Sequence, residues 1–257
     1  MRIRLLGIVV LVCGVIGLPG AMLAQLVEDY HPPKAACCLQ GAAQRLADQL
    51  QDWNQLGRYY DDDRKLEAQP SHSGRVVFLG DSITDGWDLN RDFPRKPYVN
   101  RGIGGQTTSQ MLVRMFPDVI NLDPAAVILL AGTNDIAGNN GPETLKMIEE
   151  NIQAITELAQ KHGMKVILCS VMPVSDYTEH KQVARHPAAD ILKLNAWLRS
   201  YATDAHAEFA DYYAALADAQ GVLKEGFADD GLHPNAKGYA LVAPVAEVAI
   251  EKALKNN

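Results

Sequence analysis

Three residue types that together activate a nucleophile occur in two short stretches of this chain. Gly80-Asp81-Ser82-Ile83-Thr84 places a hydroxyl just after an apolar run. Asp230-Gly231-Leu232-His233-Pro234 places a carboxylate three residues before an imidazole. A serine is a weak nucleophile until a neighbouring base takes its proton, and the base works best when a third group fixes its tautomer and direction. The offset between Asp230 and His233 lets a carboxylate accept from the ring Nδ1–H within one turn, which leaves Nε2 as the base. Asp229 is adjacent and competes for that role, but the spacing favours Asp230. The other six histidines, at 31, 72, 162, 180, 186 and 206, have no carboxylate so placed beside a turn. The chemistry implied is acyl transfer through a covalent serine intermediate. A plainer reading of Ser82 is a helix cap.

Two further stretches bear on the same chemistry. Asn100-Arg101-Gly102-Ile103-Gly104-Gly105 is a glycine-rich loop. It lacks the lysine of a phosphate-binding loop and the spacing of a dinucleotide fingerprint. Such a loop can instead turn a backbone N–H toward a reacting oxygen. Gly132-Thr133-Asn134-Asp135 reads either as an ordinary polar turn or as the source of an amide donor to a developing oxyanion.

The elements that would position these groups alternate in type. The apolar runs Val76–Leu79, Tyr98–Asn100, Val127–Ala131, Val166–Val171 and Ala207–Ala210 are short and unbroken, as strands covered on both faces are. Between them lie helical patterns. One has Leu145, Ile148, Ile152, Ile155 and Ala159, starting after Pro142 and ending near Gly163. A second has Ile191, Leu194, Leu198 and Tyr201; a last one opens after Pro234 with Asn235 as cap, and Pro244 is expected to kink or restart it. Alternation of this kind predicts an α/β fold, a parallel sheet with right-handed crossovers and helices on both faces. Ligands then bind beyond the carboxyl ends of the strands. Ser82, the Gly104-Gly105 pair, Asn134 and the Asp230–His233 loop all fall at that edge.

The N-terminal part differs. Arg2 and Arg4 precede an apolar run from Leu5 to Leu18, then Pro19, Gly20 and Ala21. This is the pattern of a secretory signal, with cleavage expected after Ala24, although Met22 is larger than the small residue preferred there. Retention as a membrane anchor is the alternative. Cys13 lies inside the apolar run rather than after it, which argues against lipid modification at that position. Residues 25–40 read as a tether. Residues 42–60 carry Leu46, Leu50, Trp53, Leu56 and Tyr60 at helical spacing and are expected to pack one face on a core, followed by a polar break at Asp61–Asp63 and from Pro70 to Gly74. Of the cysteines that remain after export, Cys37 and Cys38 are adjacent, Cys169 falls in an apolar strand, and none has metal-ligand spacing.

With 257 residues, 47% of them hydrophobic, the chain has the size and composition of one α/β domain with a full core. Its net charge is −7, or −9 once a segment carrying Arg2 and Arg4 is removed, so it offers no electrostatic footprint for nucleic acid or an anionic membrane surface.

Four blocks, Gly80-Asp81-Ser82-Ile83-Thr84, Gly102-Ile103-Gly104-Gly105, Gly132-Thr133-Asn134-Asp135 and Asp230-Gly231-Leu232-His233, together resemble the signature of the SGNH hydrolases, also called GDSL esterases/lipases. They occur in family order over about residues 75–250. The Gly-Ile-Gly-Gly form is similar to the branch with platelet-activating-factor acetylhydrolase-like and lysophospholipase-like members. The resemblance implies a flavodoxin-like three-layer α/β/α sandwich with a five-stranded parallel sheet. It implies Ser82 as nucleophile, His233 as base and Asp230 as orienter. It also implies an oxyanion hole of the Ser82 and Gly105 N–H groups and the Asn134 amide, with Gly104 the alternative to Gly105. No metal or cofactor is expected. The α/β-hydrolase fold shares the chain order Ser, Asp, His but requires a glycine where Thr84 stands. The organisation expected is a signal peptide at 1–24, a tether and helix at 25–70, and a hydrolase domain at 71–257. The expected substrate is a small-molecule ester, lysophospholipid-like or short-chain acyl. Carbohydrate acetylesterase and a non-catalytic secreted binding protein are the rivals. No stable membrane insertion is expected after cleavage.

Overall fold

A computed structural model describes residues 50–69 and 74–255. The signal, the tether, Cys37 and Cys38 lie outside the described residues. Five strands form one sheet: β1 (Val76–Gly80), β2 (Tyr98–Gly102), β3 (Ala126–Leu130), β4 (Lys165–Cys169) and β5 (Glu208–Ala210). All pairings are parallel and the order is β2-β1-β3-β4-β5. Each expected strand is present, within a residue or two at its ends.

The reason the strands read as unbroken apolar runs is visible in the packing. Alternate side chains point to opposite faces. Val76, Phe78, Ile128 and Ile167 enter one core, against the last helix. Val77, Leu79, Val127, Leu129 and Val166 enter the other, against the helices from the middle of the chain. Every position of the central strands β1 and β3 is therefore buried, and the molecule is a three-layer α/β/α sandwich.

The helices, in chain order, are α1 (Tyr60–Glu67), α2 (Ser82–Asp85), α3 (Leu89–Asp92), α4 (Thr108–Val113), α5 (Met115–Asp118), α6 (Thr133–Ile136), α7 (Leu145–Lys161), α8 (Ala188–Asp204), α9 (Tyr212–Leu216) and α10 (Ala236–Lys255). In α7, Ile148, Ile152, Ile155 and Ala159 are buried as their spacing predicts, and the Thr144 hydroxyl caps the Met147 N–H at 3.2 Å. Asn235 caps α10 by accepting from the Lys237 N–H at 3.0 Å. Among the described residues no helix is long and apolar enough to cross a membrane. Cys169 is buried at the end of β4, and burial pushes its thiol up to about 12, as suits a small apolar core residue.

One expectation is narrowed and one corrected. The helix α10 runs through Pro244 without restarting. Pro244 and Ala240, whose carbonyl loses its partner, are both exposed, so water can satisfy the freed oxygen. Residues 50–60 do not pack one apolar face on the core, and residues 42–49 lie outside the described residues. Leu50, Trp53 and Tyr60 are more than half exposed. The Asp52 carboxylate bends the chain instead, accepting from the Leu56 N–H at 2.7 Å and the Gly57 N–H at 2.8 Å. An aspartate that satisfies backbone N–H groups locally competes with the helix. The expected polar break then becomes the first turn of α1, where Asp61, Asp62 and Asp63 oppose the positive end of the helix.

The fold delivers β1 and β2 in register, Gly80 opposite Gly102, and α2 begins at once. A Cβ on Gly102 would lie 2.0 Å from the Asp85 nitrogen and 2.5 Å from the Thr84 carbonyl carbon, all backbone. Gly102→Ala is expected to destabilise by about 1–3 kcal/mol, read as a lower urea midpoint. An unchanged midpoint would mean that α2 is not fixed against β2.

Candidate active site

Ser82 is the first residue of α2, and the preceding Asp81 caps that helix by accepting from the Ile83 N–H at 2.9 Å. The Ser82 Oγ lies 2.8 Å from the His233 Nε2. The His233 Nδ1 lies 2.5 Å from the Asp230 Oδ2. The other Asp230 oxygen accepts from the backbone N–H of Leu232 at 3.0 Å and of His233 at 2.8 Å. One carboxylate thus holds both the ring and the turn that carries it. Burial works to raise the Asp230 carboxyl, but the bonds from His233 and Leu232 outweigh it and hold the group below the usual range. Asp229 is directed elsewhere and accepts from the Asn235 amide at 2.9 Å. A Cβ on Gly231, whose φ is +79°, would meet the Ser175 carbonyl at 2.4 Å. The loop after β4 is therefore pressed on the histidine loop, and Gln182 also donates to the Asp230 carbonyl at 3.2 Å.

The glycine loop and Asn134 face the same edge. Among the described residues the backbone N–H groups of Ser82, Gly104 and Gly105 have no partner in the protein. A Cβ on Gly104 would sit 3.8 Å from the Ser82 Cβ, so this loop lies against the serine. Gly105 has φ +80°, a left-handed turn that favours glycine. Asn134 is buried near the start of α6, after Gly132, where a Cβ would meet Leu194 at 2.6 Å. Its amide nitrogen donates to the Gln106 carbonyl at 3.0 Å and to Asp81 Oδ2 at 3.3 Å. Its amide oxygen accepts from Asn139 Nδ2 at 2.7 Å. That last bond fixes which end of the Asn134 amide faces the loop. Burial pushes the Asp81 carboxyl up to about 7, against the pull of the Ile83 N–H and the His233 ring.

Asn139 escaped the sequence reading, because nothing in the spacing says that a second amide orients the first. The cleft walls come from segments that no motif marks. Trp87, one turn after Ser82, is a packing residue: it is buried, stacks on Tyr239 with ring centroids 5.2 Å apart and donates its indole N–H to Asp92. The cleft that adjoins Gly104 and Gly105, with a volume near 830 Å³, is walled instead by Trp53, Asp52 and Gln55 from the N-terminal turn, and by Gln110, Asn139 and Asn140. Trp53 was hidden in an apparent helical period.

Residues 78–241 match the GDSL-like Lipase/Acylhydrolase family. The chain is similar to a GDSL-like lipase of Bacteroides thetaiotaomicron, with 37% identity over 78% of this chain and 99% of that one, at a TM-score of 0.72. It is 28% identical, over 65% of its length and 85% of the relative, to an uncharacterized lipoprotein, YqeF, of Bacillus subtilis. An acetyl-xylooligosaccharide esterase from Geobacillus Stearmophilus, in a mutant form, shares the fold, at 21% identity over 70% of this chain and 95% of that one, with a TM-score of 0.58. With the family match spanning most of the chain and the SGNH fold in place, the protein belongs to the GDSL-like lipase/acylhydrolase family and is an ester hydrolase.

Proposed function

We propose that this protein is a serine esterase that works through an acyl-enzyme, with Ser82 as nucleophile, His233 as base and Asp230 as the group that orients it. The observation that carries the reading is the continuous chain from the Ser82 hydroxyl to His233 to Asp230, at 2.8 and 2.5 Å. With the Nδ1 proton directed to Asp230, the Nε2 lone pair accepts the hydroxyl proton as Oγ attacks the ester carbonyl. The same proton then passes to the departing alcohol. Water enters, gives its proton to His233, and releases the acid.

The negative charge that develops on the carbonyl oxygen is met by the unpartnered N–H groups of Ser82 and Gly105 and by the Asn134 amide. Both Asn134 hydrogens are already engaged. The 3.3 Å bond to Asp81 is the longer, and it is the one an oxyanion would displace. No step of this scheme draws on a metal or cofactor. The substrate is a small carboxylic ester, short-chain acyl or lysophospholipid-like, since the cleft beside the glycine loop mixes amides and a carboxylate with the apolar side chains of Leu50 and Trp53.

Export belongs to the same proposal and rests on the signal-like segment before Gln25.

Ser82→Ala is expected to lower turnover of p-nitrophenyl acetate by about 10⁴-fold or more while the urea midpoint is kept; a variant that retains activity removes Ser82 from the mechanism. Asn134→Ala is expected to cost about 10²–10³-fold in kcat, and a near wild-type rate would take it out of the oxyanion hole. Intact-mass measurement of the full-length gene product in its producing cell is expected to find a chain beginning at Gln25. A membrane-bound chain that retains Met1 would select the anchor instead.

A further inference from the structure

The loop after β4 touches both halves of the site. Ser175 donates its N–H to the Gly231 carbonyl at 2.9 Å, and Gln182 reaches the Asp230 carbonyl, so one part of the loop steadies the base. Asp176 shapes the loop by accepting from the Gln182 N–H at 2.7 Å and the Val183 N–H at 3.0 Å. The Gln182 carbonyl then accepts from the N–H groups of Arg185 and His186, both at 3.0 Å, and this turn sends Arg185 toward the other half. There its guanidinium Nη2 donates to Asn139 Oδ1 at 2.9 Å. Among the described residues Arg185 forms no ion pair, and its Nε is buried without a partner. A cation gains more from a carboxylate than from a neutral amide, yet this one is directed at an amide oxygen. Arg185 does not line the cleft beside the glycine loop, so holding substrate there does not explain it.

The amides beyond it do. A guanidinium only donates, so the end of Asn139 that faces it must be the oxygen. The Asn139 nitrogen is thereby turned the other way, where it donates to Asn134 Oδ1 at 2.7 Å and to the Gly105 carbonyl at 3.3 Å. With its oxygen taken, Asn134 presents its nitrogen to the Gln106 carbonyl and to the place of the oxyanion. A flipped Asn139 would set its oxygen against two other oxygens and its nitrogen against the guanidinium. Asn139 therefore braces two parts of the hole, the Asn134 amide directly and Gly105 by its carbonyl, and Arg185 fixes the sense of Asn139. A cation at the head also polarises each amide after it, which strengthens donation by about 10–30% per bond.

We propose that Arg185 is a positioning residue of the oxyanion hole, the head of a chain through Asn139 and Asn134 that ends on the oxygen of the tetrahedral intermediate. This rests on Ser82 as nucleophile and Asn134 as oxyanion donor. The charge on that oxygen exists only while the carbonyl carbon is tetrahedral, so the chain acts on kcat rather than on the binding of the ester.

The test compares wild type, Arg185→Met and Arg185→Lys on p-nitrophenyl acetate. Arg185→Met is expected to lose about tenfold in kcat, less than loss of the donor itself, with KM kept within about twofold. Arg185→Lys, which keeps a cation that only donates, is expected to recover part of that loss. Phenyl trifluoromethyl ketone reads the hole directly. Ser82 Oγ adds to its carbonyl carbon, the hydroxyl proton passes to His233, and the hemiketal oxygen carries the negative charge. Its inhibition constant is expected to rise in Arg185→Met by the factor that kcat falls. In an Asn139→Ala background, Arg185→Met is expected to cost less than about twofold more, because the chain is already cut. A kcat near wild type in Arg185→Met, a loss confined to KM, an unchanged inhibition constant, or the whole loss repeated on top of Asn139→Ala would each overturn the proposal. Should Arg185→Met fail to fold, Arg185→Gln takes its place, with a smaller fall in kcat and the same matched rise in the inhibition constant expected; wild-type values there overturn the proposal. An Arg185 variant as fast as wild type and still silenced by Ser82→Ala removes the chain alone. A wild type inert toward the ester, or activity that survives Ser82→Ala, removes the serine mechanism and the chain with it.

Discussion

A single buried guanidinium joins the parts on which the site depends. Arg114 has no exposed surface, yet it reaches four acceptors. One nitrogen donates to the Gly80 carbonyl at the exit of β1, 2.8 Å away. Another donates to the Arg101 carbonyl near the exit of β2 at 2.8 Å and to Asp118 at 2.9 Å. The third donates to the Gln106 side chain at 2.6 Å. A charge removed from water costs several kcal/mol unless its geometry satisfies it, so these carbonyls and side chains are held where the guanidinium needs them. The two strand ends that launch Ser82 and the glycine loop are therefore fixed relative to each other by more than the sheet ladder. Burial lowers the Arg114 pKa, and the Asp118 partner works against that.

The segment before the sheet adds a second brace to the same loop. Tyr59 donates its hydroxyl to the Gly102 carbonyl, and the Arg101 guanidinium lies 4.4 Å over the Tyr59 ring. Asp63 pairs with Arg101 out of water. Arg58 grips both oxygens of Asp85 at the end of α2. Residues 54–63 thus hold the strand end, the glycine loop and helix α2 around the site. Their role is the placement of backbone rather than chemistry.

Much of this was legible in the residues and some was not, for separable reasons. The strands show because burial on both faces leaves unbroken apolar runs, and helix α7 shows because one buried face repeats at the helical period. The relay of Ser82, His233 and Asp230 shows because an acid three residues from a histidine can reach it within one turn. Asn54, Asn139 and Arg114 do not show. Asn54 and Arg114 are buried and bond carbonyls of other elements, and a polar residue on paper carries no sign of that; Asn139 lies in a turn whose geometry, not its spacing, aims it at Asn134. Trp53 and Leu56 mimic a helical stripe, and only the Asp52 side chain, through two local backbone bonds, breaks it. Pro244 leaves the helix unbroken because the fold places the Ala240 carbonyl, whose partner the proline removes, in water.

The hydroxyl and the imidazole that meet at 2.8 Å are separated by 151 positions in the chain. No local segment can bring them together, and their meeting requires the first strand and the loop after the last to sit on one completed sheet. Such a pair is absent from any half-formed state, because the loop closure that joins distant segments comes with the native topology. The hydrolytic centre is therefore silent until folding is finished. A polypeptide still being made, or still threading through a translocation channel, would leave the esters around it untouched.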